Sequence, residues 1–300
     1  MTNPRHPVTR THVPVMPKEA LDFLKISPNG IYVDGTIGNG GHSSLIQNQL
    51  SSQGHLIGVD RDGEAIKFCN KALSDTSTRL TLFNDSYHHL DSILDELGIA
   101  QVNGILLDLG LSTFQLDSKS RGFSYKYDSD LDMRFDIRQK PKAFDILNDS
   151  CQDELADIIY KFGEERRSRS IAKRITMMRP IHSVPELVEA IRRSTPPRNR
   201  NKTITRVFQA IRIAVNGELE KLDSFLSSFN KRLRVGGRIT IISFHSLEDR
   251  KVKHSFRKLK SAKEIKILTK KPIVPSPEEK LNNTRSRSAK LRVAERVDKC

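Results

Sequence analysis

Along the first 115 residues, short β-rich runs alternate with stretches of helical spacing. The runs are residues 30–34 (GIYVD), 54–60 (GHLIGVD), 80–84 (LTLFN) and 101–109 (QVNGILLDL). Between them, residues 17–24, 42–50 and 65–73 carry apolar side chains three and four apart, as amphipathic helices do. Strand and helix in alternation predict a parallel sheet with crossover helices. The fourth run is apolar almost throughout, so it belongs at the centre of that sheet, covered on both faces.

After Gln115 the rhythm breaks. Residues 117–135 are polar and aromatic without a period, which predicts an ordered loop. Residues 143–193 read as helices with short breaks, and Pro196-Pro197 with the charges that follow marks a hinge. Residues 204–229 predict one long helix, with Val207, Ile211, Val215, Leu219, Leu222 and Phe225 along one stripe. Strand character returns at 238–244 (RITIISF), after a turn at Val235-Gly236-Gly237, and again at 264–268 and 290–297. The economical arrangement is one α/β domain, residues 1–115 and 215–300, interrupted by a helical insertion of residues 116–214.

Composition narrows the setting. A hydrophobic fraction of 36% is that of an ordinary globular chain. No apolar run approaches the roughly 18–20 residues that cross a bilayer, and the N-terminal residues lack the apolar core of a signal peptide. Three cysteines, Cys69, Cys151 and Cys300, lie far apart in no metal-like spacing. Neither a disulfide framework nor a metal site is expected, and a reducing cytoplasm is. Nothing in the pattern favours a homodimer over a monomer.

Charge points to a partner. Lys plus Arg is 51 against 36 acids, a net of +15. From Lys161 to Arg212 there are 14 Lys/Arg against four acids, a local net of 14 − 4 = +10. Localised cationic charge attracts a polyanion, and nucleic acid is the commonest one in a cytoplasm.

The candidate chemistry starts at Asp34, where the first strand runs into Gly35-Thr36-Ile37-Gly38-Asn39-Gly40-Gly41-His42. Such a turn brings backbone N–H groups and a helix N-terminus to a ligand. It lacks the Lys-Ser/Thr pair of a P-loop and is not G-x-G-x-x-G, so a nucleoside with an amino-acid tail suits it better than a phosphate-centred ligand. Asp60, ending the second strand, is placed to accept hydrogen bonds from ribose hydroxyls. Asp108 ends the fourth strand, beside the crevice where open α/β sheets bind ligands. It suits either the cofactor's amino-acid end or the incoming nucleophile. His245 and Ser246 follow the fifth strand and suit either substrate positioning or capping of the next helix, with Ser246 and Asp249 resembling a capping box. Asp108, His245 and Ser246 are thus the candidate catalytic residues. Phe114, Arg121, Phe123, Tyr125, Lys126, Tyr127 and Arg134 interleave aromatic and basic side chains, a pattern suited to stacking on an unpaired base.

The segments DGTIGNGGHS, VDRD, ILLDLGLSTFQLD, RGFSY, DLDMR, FGEER, TRVFQAIRIAVNGELE and GGRITIISFHSLEDR, in this order, closely resemble the bacterial RsmH (MraW) family. The resemblance runs from His12 to about Lys253 and resumes at SRSAKLRVAER. It implies a class I S-adenosylmethionine-dependent methyltransferase: a Rossmann-like, mostly parallel seven-stranded sheet with an inserted helical domain. It further implies N4-methylation of a decoding-centre cytidine in 16S rRNA, with the small ribosomal subunit as partner and the insertion facing the RNA. The family's cofactor positions fall on Gly40, Gly41, His42, Asp60, Tyr87, Asp108 and Gln115. Tyr87 stands where the family often has Phe, which keeps an aromatic wall for the adenine. Asp108-Leu109-Gly110-Leu111 replaces the Asp/Asn-Pro-Pro-aromatic motif of many amino-methylating DNA enzymes, so their mechanism does not transfer. On the residues alone, a methyltransferase of another RNA or DNA, or a non-catalytic RNA-binding module, remains an alternative.

Overall fold

A computed structural model describes residues 13–298 except residues 75, 113, 114 and 117. The described residues form two compact units by their internal packing: one from 13–60, 64–112 and 229–298, the other from 61–63 with 115–228.

The first unit is built on a seven-stranded sheet of order β3-β2-β1-β4-β5-β7-β6. The strands are β1 (Ile31–Asp34), β2 (His55–Val59), β3 (Arg79–Phe83), β4 (Val102–Asp108), β5 (Leu233–Ser243), β6 (Ile265–Ile267) and β7 (Lys290–Arg296). The first five run parallel, and β7 runs antiparallel to both β5 and β6. All seven runs of strand character in the sequence are strands here. Val102, Ile105, Leu106 and Leu107 are fully buried, as the apolarity of β4 predicts for a central strand. Four helices accompany the first half: α1 (Pro17–Leu24), α2 (Gly41–Gln47), α3 (Gly63–Ala72) and α4 (Leu90–Glu96). The sequence pattern does not disclose α4, whose seven residues carry only three buried apolar ones, Leu90, Ile93 and Leu94. That is too short a stripe to stand out.

β5 begins earlier than expected. The Gly-Gly pair predicted as a turn lies inside the strand, where Gly236 takes φ +79° and the pairing with β4 slips between Val102 and Gly104. The pairing passes from Val102–Leu233 to Gly104–Arg238, so β5 loops out at the predicted turn and the ladder resumes beyond it.

The second unit is helical: α5 (Ala143–Asp149), α6 (Gln152–Gly163), α7 (Ser168–Met177), α8 (Val184–Arg193) and α9 (Arg200–Asn216). The single helix expected over 204–229 is two, α9 and α10 (Glu218–Arg232), because Gly217 adopts φ +57° and returns its N–H to the Ile213 carbonyl. A left-handed glycine is the usual helix stop, yet the apolar stripe continues past it, which hides the break. The remaining helices, α11 (Ser246–Ser261) and α12 (Pro277–Asn282), belong to the first unit. No helix is long and apolar enough to cross a membrane among the described residues.

Residues 118–135 form the ordered loop the sequence predicts. Arg121 fixes it: its guanidinium pairs with buried Asp62 and donates to the carbonyls of Arg134 and Phe135. Phe123 is buried and stacks on Phe135 with ring centroids 5.6 Å apart. Asn216 adds bonds to the Phe135 N–H and the Met133 carbonyl.

Candidate cofactor site

β1 and β4 are the neighbours between which the strand order reverses, and open α/β sheets bind ligands at that point, outside the carboxyl ends of the strands. The glycine turn lies there. It is pinned by Gly35 N–H to the Leu106 carbonyl (2.9 Å) and by Ile37 N–H to the Val59 carbonyl (3.0 Å), so β4 and β2 both hold it. Gly58 makes the second bond possible, because a Cβ there would stand 2.4 Å from the Ile37 side chain. Gly38 and Gly40 take φ +50° and +75°, a region costly for residues with a Cβ. Gly40 then leads into α2, which has no side-chain cap and no acid in its first turn, leaving its N-terminal N–H groups for a ligand.

Asp60 follows β2 and accepts the Gly38 N–H at 2.8 Å, so the acid and the turn form one structure. Its backbone is held by Phe83 and by the Asn84 side chain. Tyr87, in a short 3-10 turn, packs so closely on the turn that a Cβ on Gly35 would lie 3.0 Å from its own.

Asp108 ends β4 with its N–H bonded to Thr36 Oγ1 at 2.6 Å. His42, in the first turn of α2, places Nε2 3.7 Å from Asp108 Oδ2. Both ring nitrogens of His42, Asp108 Oδ1 and Asn39 Oδ1 are buried without a hydrogen-bond partner among the described residues. Buried polar atoms without partners are costly, and several around one crevice mark where a polar ligand supplies the missing bonds. An amino-acid tail with a charged amine and carboxylate has the right donors and acceptors, so the residues present fit S-adenosylmethionine.

Beneath the turn lies Asp34, fully buried, accepting from Ser43 Oγ (2.7 Å) and the Thr36 N–H (3.2 Å). Burial raises its carboxyl above the ordinary Asp value, against the lowering bond from Ser43. Cys69 donates to the Gly38 carbonyl, and burial pushes its thiol up to about 12, with Asp34 and Asp60 adding to the rise. It is a structural support, and its chemistry is inert.

Six of the seven sequence-predicted cofactor residues, Gly40, Gly41, His42, Asp60, Tyr87 and Asp108, belong to the first unit, around the switch point. Gln115 belongs to the second, buried, with its amide donating to Asp62 Oδ2 at 3.3 Å. His245 is the N-cap of α11: Nδ1 accepts the Glu248 N–H, and the Glu248 carboxylate returns to the His245 N–H. The capping box is thus His245 with Glu248, displacing the Ser246–Asp249 pairing that the sequence suggests. Asp249 instead binds Arg292, at 2.6 Å. Several side chains of the aromatic-basic run are engaged within the protein. Phe123, Arg121 and Arg134 are consumed internally, Tyr125 sets its edge on Phe208, and Phe114 lies outside the described residues.

A seven-stranded sheet with only its seventh strand reversed, carrying a glycine turn after β1 and acids after β2 and β4, defines a class I S-adenosylmethionine-dependent methyltransferase. The profile of the MraW methylase family matches residues 9–297. The chain belongs to that family. Among its curated relatives, ribosomal RNA small subunit methyltransferase H of Thermosipho africanus is 48% identical over 95% of this chain and 98% of its own. The same-named proteins of Kosmotoga olearia (48%; 96% and 98% covered) and Trichormus variabilis (46%; 96% and 92%) are similarly close.

Proposed function

We propose that the chain transfers a methyl group to small-subunit ribosomal RNA, and in particular to the exocyclic N4 of a decoding-centre cytidine in 16S rRNA. The observation that carries the substrate is full-length similarity to proteins named for small-subunit rRNA methylation. The cationic insertion supports it. The cytidine and its N4 rest on the motif resemblance.

When bound, S-adenosylmethionine supplies a methyl group already activated by its sulfonium. Gly40, Gly41 and His42 would hold its amino-acid end, Asp60 its ribose and Tyr87 its adenine. The protein's task is then alignment, because holding reactants in a near-attack geometry supplies several kcal/mol without acid–base chemistry. The cytosine amino nitrogen is a poor nucleophile, its lone pair being delocalised into the ring. A carboxylate that accepts an amino hydrogen favours the pyramidal nitrogen that can attack. Asp108, at the switch point with Oδ1 unpartnered among the described residues, is the proposed acceptor. The target base must leave its stack to reach such a site.

The experiment is methyl transfer from labelled S-adenosylmethionine to small ribosomal subunits from a strain lacking this gene, with nucleoside analysis of the product. N4-methylated cytidine at one position is expected. Label elsewhere, or none, overturns the reading.

A further inference from the structure

Local charge singles out a second region besides the insertion. Residues 250–271 hold ten Lys/Arg and a single acid, Glu264, a net of 10 − 1 = +9 in 22 residues, all in the sheet-bearing unit. They cover α11, the turn after it, and the edge strand β6. Val252 and Phe256 face inward, Phe256 meeting Phe229 at 6.0 Å between ring centroids, so the apolar stripe of α11 is used up in the core. Lys253, Arg257 and Lys260 fall on a neighbouring stripe at spacings of four and three. Arg257, Lys258, Lys260, Lys263, Lys266, Lys270 and Lys271 are exposed.

None of these seven, nor Lys253, forms a side-chain ion pair or hydrogen bond among the described residues. Other cations of the chain do: Lys161 with Asp157, Arg193 with Glu189, and Arg292 with Asp249. Like charges three and four apart weaken a helix, and interspersed acids normally relieve the repulsion. Here the repulsion is left standing, which a polyanion would relieve.

We propose that this face, α11 with β6, is a second RNA-binding surface that grips the phosphate backbone of the small-subunit rRNA. The inference rests on the substrate proposed above. The partner is backbone and not splayed bases, since the surface presents lysine and arginine with only His254 as a ring. A lipid surface fits less well, because a membrane-lying helix needs an apolar face to insert and that of α11 is buried.

The test is K253Q/R257Q/K260Q/K266Q in the full chain, with cofactor affinity by calorimetry as the folding check. For small subunits KM is expected to rise about tenfold or more near physiological salt, with kcat and cofactor affinity unchanged. The slope of log K against log salt for 16S rRNA binding should become shallower by about 0.7–0.9 for each phosphate no longer neutralised. An unchanged KM and slope overturns the proposal, as does a deficit confined to anionic phosphatidylglycerol vesicles. If the unaltered enzyme methylates no small-subunit RNA, the substrate reading falls, while the 16S rRNA binding comparison still decides the surface.

Discussion

At the scale of single residues, Asp60 and Asp34 are two strand-end carboxylates in opposite situations. Asp60 holds the glycine turn with one oxygen, at 2.8 Å from the Gly38 N–H, and is the proposed ribose acceptor. Asp60→Ala is expected to weaken S-adenosylmethionine binding by about 1.5–3 kcal/mol, roughly ten- to a hundredfold, with RNA affinity retained. Calorimetry showing undiminished affinity would remove Asp60 from the site. Asp34 is buried with its pKa raised, so the unfolded chain ionises it at lower pH than the folded protein does. Stability is therefore lost as pH rises from the unfolded value through the folded one, and above the folded value the cost is fully present. Asp34→Asn keeps the acceptor for Thr36 and can donate to Ser43, so it should raise Tm at pH 7 and lose that advantage in acid. A variant no more stable at pH 7 than the parent contradicts the buried-charge account.

At the scale of elements, β2 and β4 are legible because burial on both faces leaves continuous apolar runs, and a strand-end acid after such a run is conspicuous. What escapes the sequence is the behaviour of glycines and of short stripes. Gly217 ends α9 inside an unbroken apolar stripe, and α4 buries too few residues to register. Side-chain partnerships escape as well, since no spacing reveals that Phe123 stacks on Phe135 or that His245 caps with Glu248. Gly217→Ala should destabilise the protein by about 1 kcal/mol, because the left-handed conformation is costly to alanine. Its Cβ would also meet Lys221 Nζ at 3.2 Å. An unshifted chemical-denaturation midpoint would count against a strict αL requirement. The Asp62–Arg121 pair, with both side chains largely buried, ties the 118–135 loop to the tripeptide after Asp60. Removing either partner leaves a buried charge alone, at about 3–5 kcal/mol. In a double-mutant cycle with alanine, the two effects should fall well short of adding. Additive effects would mean that the pair does not interact as the geometry implies.

For the molecule as a whole, charge lies in both units, at residues 161–212 and 250–271, and so no single patch accounts for the basic character. In the insertion, Arg166 and Arg169 lie beside Arg167, whose Nη1 is buried without a partner among the described residues. Reversing the charge of all three should weaken engagement of small subunits, with a deficit that is largest at low salt and narrows as salt rises. Normal methylation across a salt series would move the RNA-facing surface elsewhere.

The membership of residues 61–63 in the helical unit, flanked on both sides in the chain by the sheet-bearing one, bears on modularity. The chain passes between the units after Asp60, after Gly63, between residues 112 and 115, and after Ser228, so an excised insertion ending at Ser228 would lack its own tripeptide. That tripeptide supplies Asp62 to Arg121 and Gln115, and sets Arg61 over the Phe135 ring. A graft of the insertion onto another methyltransferase would need an Arg-Asp pair already waiting after the host's second strand. Helical insertion and sheet-bearing scaffold are therefore not interchangeable cassettes, and variation in one is constrained by a three-residue signature embedded in the other.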